Sequence, residues 1–128
     1  MTRVKPFVAV VDDDTSVNRA IRRLLRSIGV AADRFGTGDE LLETMRSIPS
    51  YRPACVILDV QTPVSNGLEV QKGLADYGVP VIFTTAHEGV VERDRALAAG
   101  AIAYIRRPFD DELFIKAVRA AIDLVPRE

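Results

Sequence analysis

Two runs of apolar residues without alternation, each ending in carboxylates, constrain this chain more than any other feature. Phe7-Val8-Ala9-Val10-Val11 leads into Asp12, Asp13 and Asp14, and Ala54-Cys55-Val56-Ile57-Leu58 leads into Asp59. A strand with one face in water alternates apolar and polar residues, whereas a strand covered on both faces is apolar throughout. Both runs therefore predict central strands of a parallel sheet. The loops beyond the C-terminal ends of such strands diverge and leave a crevice, which is where open α/β sheets bind ligands. Asp59, at that lip, is the candidate functional centre.

The remaining segments supply the layers that cover those strands. From Thr15 onward, Val17, Ala20, Ile21, Leu24, Leu25 and Ile28 recur at helical spacing, with Arg19, Arg22, Arg23 and Arg26 interleaved. Asp14, Thr15 or Ser16 caps this helix and Gly29 stands where a left-handed terminal residue belongs. The arginines, together with Asn18, read as its solvated face. Residues 30–35 predict a short, more polar edge strand. A second helix carries Leu41, Leu42, Met45 and Ile48 and stops at Pro49. After Asp59, Val64-Ser65-Asn66-Gly67 is turn chemistry, and Leu68, Val70 and Leu74 place a third helix ending near Tyr77-Gly78. Residues 81–85 predict a fourth strand, 88–99 a fourth helix stopped by Gly100, and 102–105 a fifth strand. Asp110 caps a last helix reaching about Leu124, with Leu113, Phe114, Ala117, Val118, Ala121 and Ile122 as its buried stripe. Strands alternating with helices imply right-handed crossovers and a three-layer, doubly wound α/β architecture. The expectation is one domain over residues 1–128.

Bulk properties exclude several function classes. A chain of 128 residues can bury a core without disulfides or metals. Lys and Arg total 17 against 18 Asp and Glu, a net charge of -1, so no basic field marks a nucleic-acid or membrane surface. The single cysteine, Cys55, excludes disulfide scaffolds and multi-cysteine zinc sites, and inside its apolar run it reads as a small buried hydrophobe. The N-terminal apolar run is followed by three aspartates where a signal peptide would need small residues. No apolar stretch approaches membrane-spanning length, so a soluble cytoplasmic protein is expected.

In a sheet of this kind the ends at Asp12 and Asp13, Asp59, Thr85 and Arg107 open onto one edge. Two unit charges about 4 Å apart repel by roughly 4 kcal/mol at an effective dielectric near 20. Gathering these acids therefore does not serve stability. A hard cation relieves the repulsion, and carboxylates with carbonyl and water oxygens are what Mg²⁺ takes where a phosphate is handled. Asp59 can then act as a nucleophile in phosphoryl transfer, with the cations neutralising the equatorial oxygens. An acidic triplet by itself is ordinarily a solvated turn or a helix cap. A lone histidine such as His87 ordinarily sits on a loop surface.

The segments VVDDD at 10–14, LDVQTPVSNGLE at 58–69, TTAH at 84–87 and RRPF at 106–109 resemble the four signatures of the receiver domain of two-component response regulators. The resemblance spans essentially the whole chain, and the TAH and RPF contexts are similar to the FixJ-like group of these CheY-like domains. It implies a flavodoxin-like, five-stranded parallel sheet of strand order 2-1-3-4-5. It also implies roles: Asp59 as phosphoacceptor, Asp13 as direct Mg²⁺ ligand, Asp12 as ligand through water, and the Gln61 backbone carbonyl completing the site. By the same resemblance the Thr85 hydroxyl bonds the phosphoryl group, Tyr104 is the aromatic switch, and Gln61 and His87 tune the site.

Two positions depart from the family pattern. Arg107 stands where a lysine precedes the proline, and the planar, longer guanidinium is not a conservative replacement at a phosphate site. Thr62 stands where methionine is frequent. The partners implied are a sensor histidine kinase, an output domain of DNA-binding type in a longer parent, and a second copy docking through the fourth helix, fifth strand and last helix. Direct nucleic-acid or membrane binding by this domain is not expected. The module is not read as an enzyme; self-catalysed phosphotransfer and dephosphorylation are chemistry that the resemblance allows. The alternatives are a pseudo-receiver acting by interaction alone, which Arg107 favours, and an aspartyl-phosphate hydrolase, which needs a second acid just after Asp59 where Gln61 stands.

Overall fold

The structure is a computed structural model that describes residues 5–59, 67–85, 90–98, 100–106 and 110–123. Strands and helices alternate: β1 (Phe7–Val11), α1 (Thr15–Ser27), β2 (Ala31–Phe35), α2 (Gly38–Ser47), β3 (Cys55–Asp59), α3 (Gly67–Ala75), β4 (Val81–Thr85), α4 (Val90–Ala98), β5 (Ala103–Arg106) and α5 (Asp111–Asp123). All strand pairings are parallel, and the order is β2-β1-β3-β4-β5. This is the flavodoxin-like arrangement expected from the sequence.

Unalternating strands are buried on both faces because helices cover both. Every residue of β1, β3 and β4 is buried, whereas β2, at an edge, is half-buried to exposed. Successive side chains point to opposite faces of a strand, and the core divides accordingly. Ala9, Val11, Val56, Leu58, Val81 and Phe83 pack with Leu41 and Met45 of α2, Val70 and Leu74 of α3, and Ala96 of α4. Val8, Val10, Cys55, Ile57 and Ile82 pack with Ile21 and Leu25 of α1 and with Phe114, Val118 and Ala121 of α5. Each fully buried aliphatic or aromatic side chain contributes on the order of 1.5–3 kcal/mol, so the two apolar layers hold the sheet edge in place.

Local signals set the ends of the helices. The Asp14 carboxylate accepts from the backbone N–H groups of Ser16 and Val17, and Asp110 does the same for Glu112 and Leu113. Gly29 adopts a φ of 79° just beyond α1, a conformation that a Cβ would strain. Three expectations need correction. Ile48, placed on the second helix, is 48% exposed at its end, Leu113 is 64% exposed rather than buried, and Asn18 is fully buried rather than solvated. Ile48 is the residue at which α2 has already ended. Leu113 lies one helical step, about 100°, from the inward stripe of Phe114, Val118 and Ala121. Among the described residues, no helix is long and apolar enough to cross a membrane.

Candidate functional site

The first corner of the site is the turn leaving β1. The β1–β2 ladder runs one residue past Val11, because the Asp12 N–H donates to the Phe35 carbonyl at 3.1 Å. Asp12 is 1% exposed, and its Oδ1 accepts from the Asp14 N–H at 2.9 Å. Asp13 is exposed and lies between these two anchored residues.

Asn18 closes this turn from the first helix. Its Nδ2 donates to the carbonyls of Val10 at 3.0 Å, Asp12 at 3.3 Å and Phe35 at 3.4 Å, and its Oδ1 accepts from Arg22 Nε at 2.8 Å. A buried strand end leaves carbonyls that must find donors, since an orphaned buried polar group costs about 1–3 kcal/mol. Sequence reasoning missed this residue. The signal that could have found it is its position, because Asn18, Ile21 and Leu25 fall at i, i+3 and i+7 on one helical face.

The second corner is Asp59, the last residue of β3. It is 7% exposed and stands opposite Thr84 in the parallel ladder. One carboxylate oxygen from each of Asp12, Asp13 and Asp59 lies within 4.8 Å of the others. At that separation each ionised pair repels by roughly 3 kcal/mol at an effective dielectric of 20. Convergent oxygen donors of this kind suit a hard divalent cation, and the donor set fits Mg²⁺.

The third corner is the end of β4. Thr84 and Thr85 are each 1% exposed, and among the described residues the Thr84 hydroxyl has no hydrogen-bond partner. Thr85 stands opposite Arg106 of β5. By strand alternation Thr85 shares the face of Phe83, against which Tyr104 packs, while Asp59 shares the opposite face with Ile57. Tyr104 is half-buried. The structure thus brings together Asp12, Asp13 and Asp59, and sets Thr85 and Tyr104 on adjoining strands. Gln61, Thr62, His87 and Arg107 lie outside the described residues.

Cys55 sits beneath this edge in β3. It is fully buried, and burial pushes its thiol from 9.0 up to about 12. The thiol is a packing element, as the sequence implied.

The family model of the response regulator receiver domain matches residues 8–119. The chain belongs to that family. It is 35% identical over 130 residues to response regulator protein TmoT of Ectopseudomonas mendocina, covering all of this chain and 58% of that protein. Among solved structures it resembles a response regulator receiver protein from Burkholderia phymatum, with 60% identity, 97% of this chain and 100% of that one covered, and a TM-score of 0.85. It is also similar to FixJ-N, with 26% identity, 97% and 98% coverage, and a TM-score of 0.85. The chain spans little more than half the length of TmoT.

Proposed function

We propose that this receiver domain accepts a phosphoryl group on Asp59 from the phosphohistidine of a sensor kinase. The convergence of one oxygen each from Asp12, Asp13 and Asp59 within 4.8 Å at the end of a buried parallel strand carries this reading. An Asp59 oxygen attacks phosphorus, the bond from phosphorus to imidazole nitrogen breaks, and the imidazole keeps its electron pair and takes a proton. Asp13 directly, Asp12 through water, Asp59 and the Gln61 carbonyl would hold Mg²⁺. When bound, that ion supplies charge neutralisation for the phosphoryl oxygens. Thr85 donates its hydroxyl to the phosphoryl group, Arg107 offers a guanidinium to it, and His87 tunes access.

Phosphorylation shifts a two-state equilibrium by the difference in phosphoryl contacts between the states. Thr85 and Tyr104 couple the site to the face of α4, β5 and α5, which meets an output partner or a second copy. A longer parent with an output domain of DNA-binding type is supported by coverage of 58% of TmoT and of 53% of a relative named DNA-binding response regulator MtrA, from Mycobacterium tuberculosis. A second reading, a pseudo-receiver without phosphorylation, is favoured by one observation: arginine instead of lysine at position 107.

The deciding experiment is intact mass after acetyl phosphate and Mg²⁺. The native chain gains one phosphoryl group and Asp59→Asn gains none. Equal labelling of both chains removes Asp59 as acceptor.

A further inference from the structure

Among the described residues, Asp13 is held through its chain neighbours. On one side Asp12 is fixed at both backbone groups: its N–H donates to Phe35 O at 3.1 Å, and its carbonyl accepts from Asn18 Nδ2 at 3.3 Å. On the other side the Asp14 N–H donates to Asp12 Oδ1, and the Asp14 carboxylate caps α1. The peptide between Asp12 and Asp13 is therefore pinned through Asn18. That residue also ties Val10 of β1 and Phe35 of β2 to the same amide group, so the strand ends and the acidic turn move together.

The orientation of the Asn18 amide is fixed as well. Three carbonyls face its nitrogen and one donor, Arg22 Nε at 2.8 Å, faces its oxygen. A flipped amide would set oxygen against carbonyl oxygens and nitrogen against a guanidinium, so only one orientation matches its neighbours, its two N–H protons being shared among the three carbonyls. Arg22 is half-buried one helical turn on from Asn18.

We infer that Asn18, locked by Arg22, is a positioning residue that holds the Asp12–Asp13 turn in its cation-binding geometry. This rests on the reading of Asp12, Asp13 and Asp59 as a Mg²⁺ site. Groups one shell removed from a metal ligand set its orientation, and their loss typically weakens metal affinity by about 10–100-fold. Asn18 acts through the Asp12 carbonyl and not through the carboxylates themselves, so the lower end of that range is expected.

Charge and positioning predict opposite signs here. Asn18→Asp adds a negative charge near the site, and Arg22→Met removes a positive one, so long-range electrostatics alone would tighten cation binding in both. Loss of the latch would weaken it in both. The experiment is calorimetric Mg²⁺ titration of the full chain for the native protein, Asn18→Asp, Arg22→Met, Arg22→Lys and Asp13→Ala. Amide spectra of residues 12–14 without Mg²⁺ accompany it.

The dissociation constant is expected to rise about tenfold in Asn18→Asp and severalfold in Arg22→Met. Arg22→Lys, which can still donate to Oδ1, recovers near-native affinity. The residue 12–14 amides shift in the first two variants before any cation is added. If Asn18→Asp does not fold, Arg22→Met decides the matter. Unchanged or tighter Mg²⁺ binding in a folded variant overturns the positioning role while leaving the site intact. A native chain that binds no Mg²⁺, or binds it equally after Asp13→Ala, overturns the site reading and this inference with it.

Discussion

Phe83 of β4 and Tyr104 of β5 stand opposite each other in the parallel ladder, their ring centroids 6.1 Å apart and their planes inclined by 46°. Thr85 is two residues beyond Phe83 on the same face, so a movement of the Thr85 hydroxyl towards a phosphoryl group changes the packing next to Tyr104. Thr85→Ala should still be phosphorylated, because the nucleophile and the acids remain. The Tyr104 ring signals should then fail to shift on adding beryllofluoride, whereas they shift in the native chain. Equal shifts in both proteins would separate Tyr104 from Thr85.

A bound cation stabilises the folded state by mass action. At ten times its dissociation constant Mg²⁺ should add about 1.4 kcal/mol, which for a chain of this size is a rise of about 5 °C in thermal midpoint. Asp13→Ala should show no such rise, since one of the three convergent oxygens is gone. Differential scanning calorimetry with and without Mg²⁺ measures both.

Gly38 opens α2 where it meets α3. A Cβ at that position would stand 2.8 Å from Val70 Cγ1 and closer still to Cγ2, and Val70 is itself buried. Gly38→Ala should therefore destabilise the chain by about 1–3 kcal/mol through overpacking, despite alanine's better helix propensity. Val70→Ala in the same chain should recover part of that loss. Urea midpoints of the two variants and the native chain test the pair, and a stabilised Gly38→Ala would contradict the close approach.

Burial makes Cys55 a pH-dependent element at alkaline pH only. Its thiol titrates near 9.0 when unfolded and near 12 when folded, so in between the unfolded state binds fewer protons than the native state. Stability from this group is fully present below about 9 and falls as pH rises towards 12, with a slope of at most about 1.4 kcal/mol per pH unit. Cys55→Ala should flatten that part of the profile, and a thiol reagent should label native Cys55 only as fast as β3 opens.

The strands were legible because burial on both faces removes alternation, as in Phe7–Val11 and Cys55–Asp59. The sheet order came from the resemblance, since parallel crossovers allow several orders and no local signal chooses among them. Polarity alone suggests a solvated Asn18, whereas its position on the face of Ile21 and Leu25 buries it. Its partners are backbone carbonyls of β1, β2 and the Asp12 turn, which the identities of those residues do not advertise. Leu113 misled in the opposite sense: an apolar residue in the first turn of α5 is carried outward by helical rotation once Phe114 takes the inward place. The acid pair and Asp59 were legible because carboxylates at the ends of buried strands have no packing role.

Arg107 is one of the two positions, with Thr62, at which the family pattern and this sequence part. A lysine presents a compact ammonium to one phosphoryl oxygen, whereas a guanidinium offers two parallel donors on a longer stem. In the proposed phosphotransfer, attack by Asp59 depends mainly on the nucleophile and the acids around it, so phosphorylation by acetyl phosphate should survive. Coupling should be smaller, because a ligand shifts an equilibrium only by its differential affinity for the two states. Arg107→Lys should leave the phosphorylated fraction within about twofold and increase the phosphate-dependent shifts of residues 103–106, a change of no more than about 0.4 kcal/mol in the chemistry. Intact mass measures the first quantity and amide spectra the second. A native chain that never gains a phosphoryl group, beside an Arg107→Lys chain that does, would establish the pseudo-receiver in place of the phosphoacceptor.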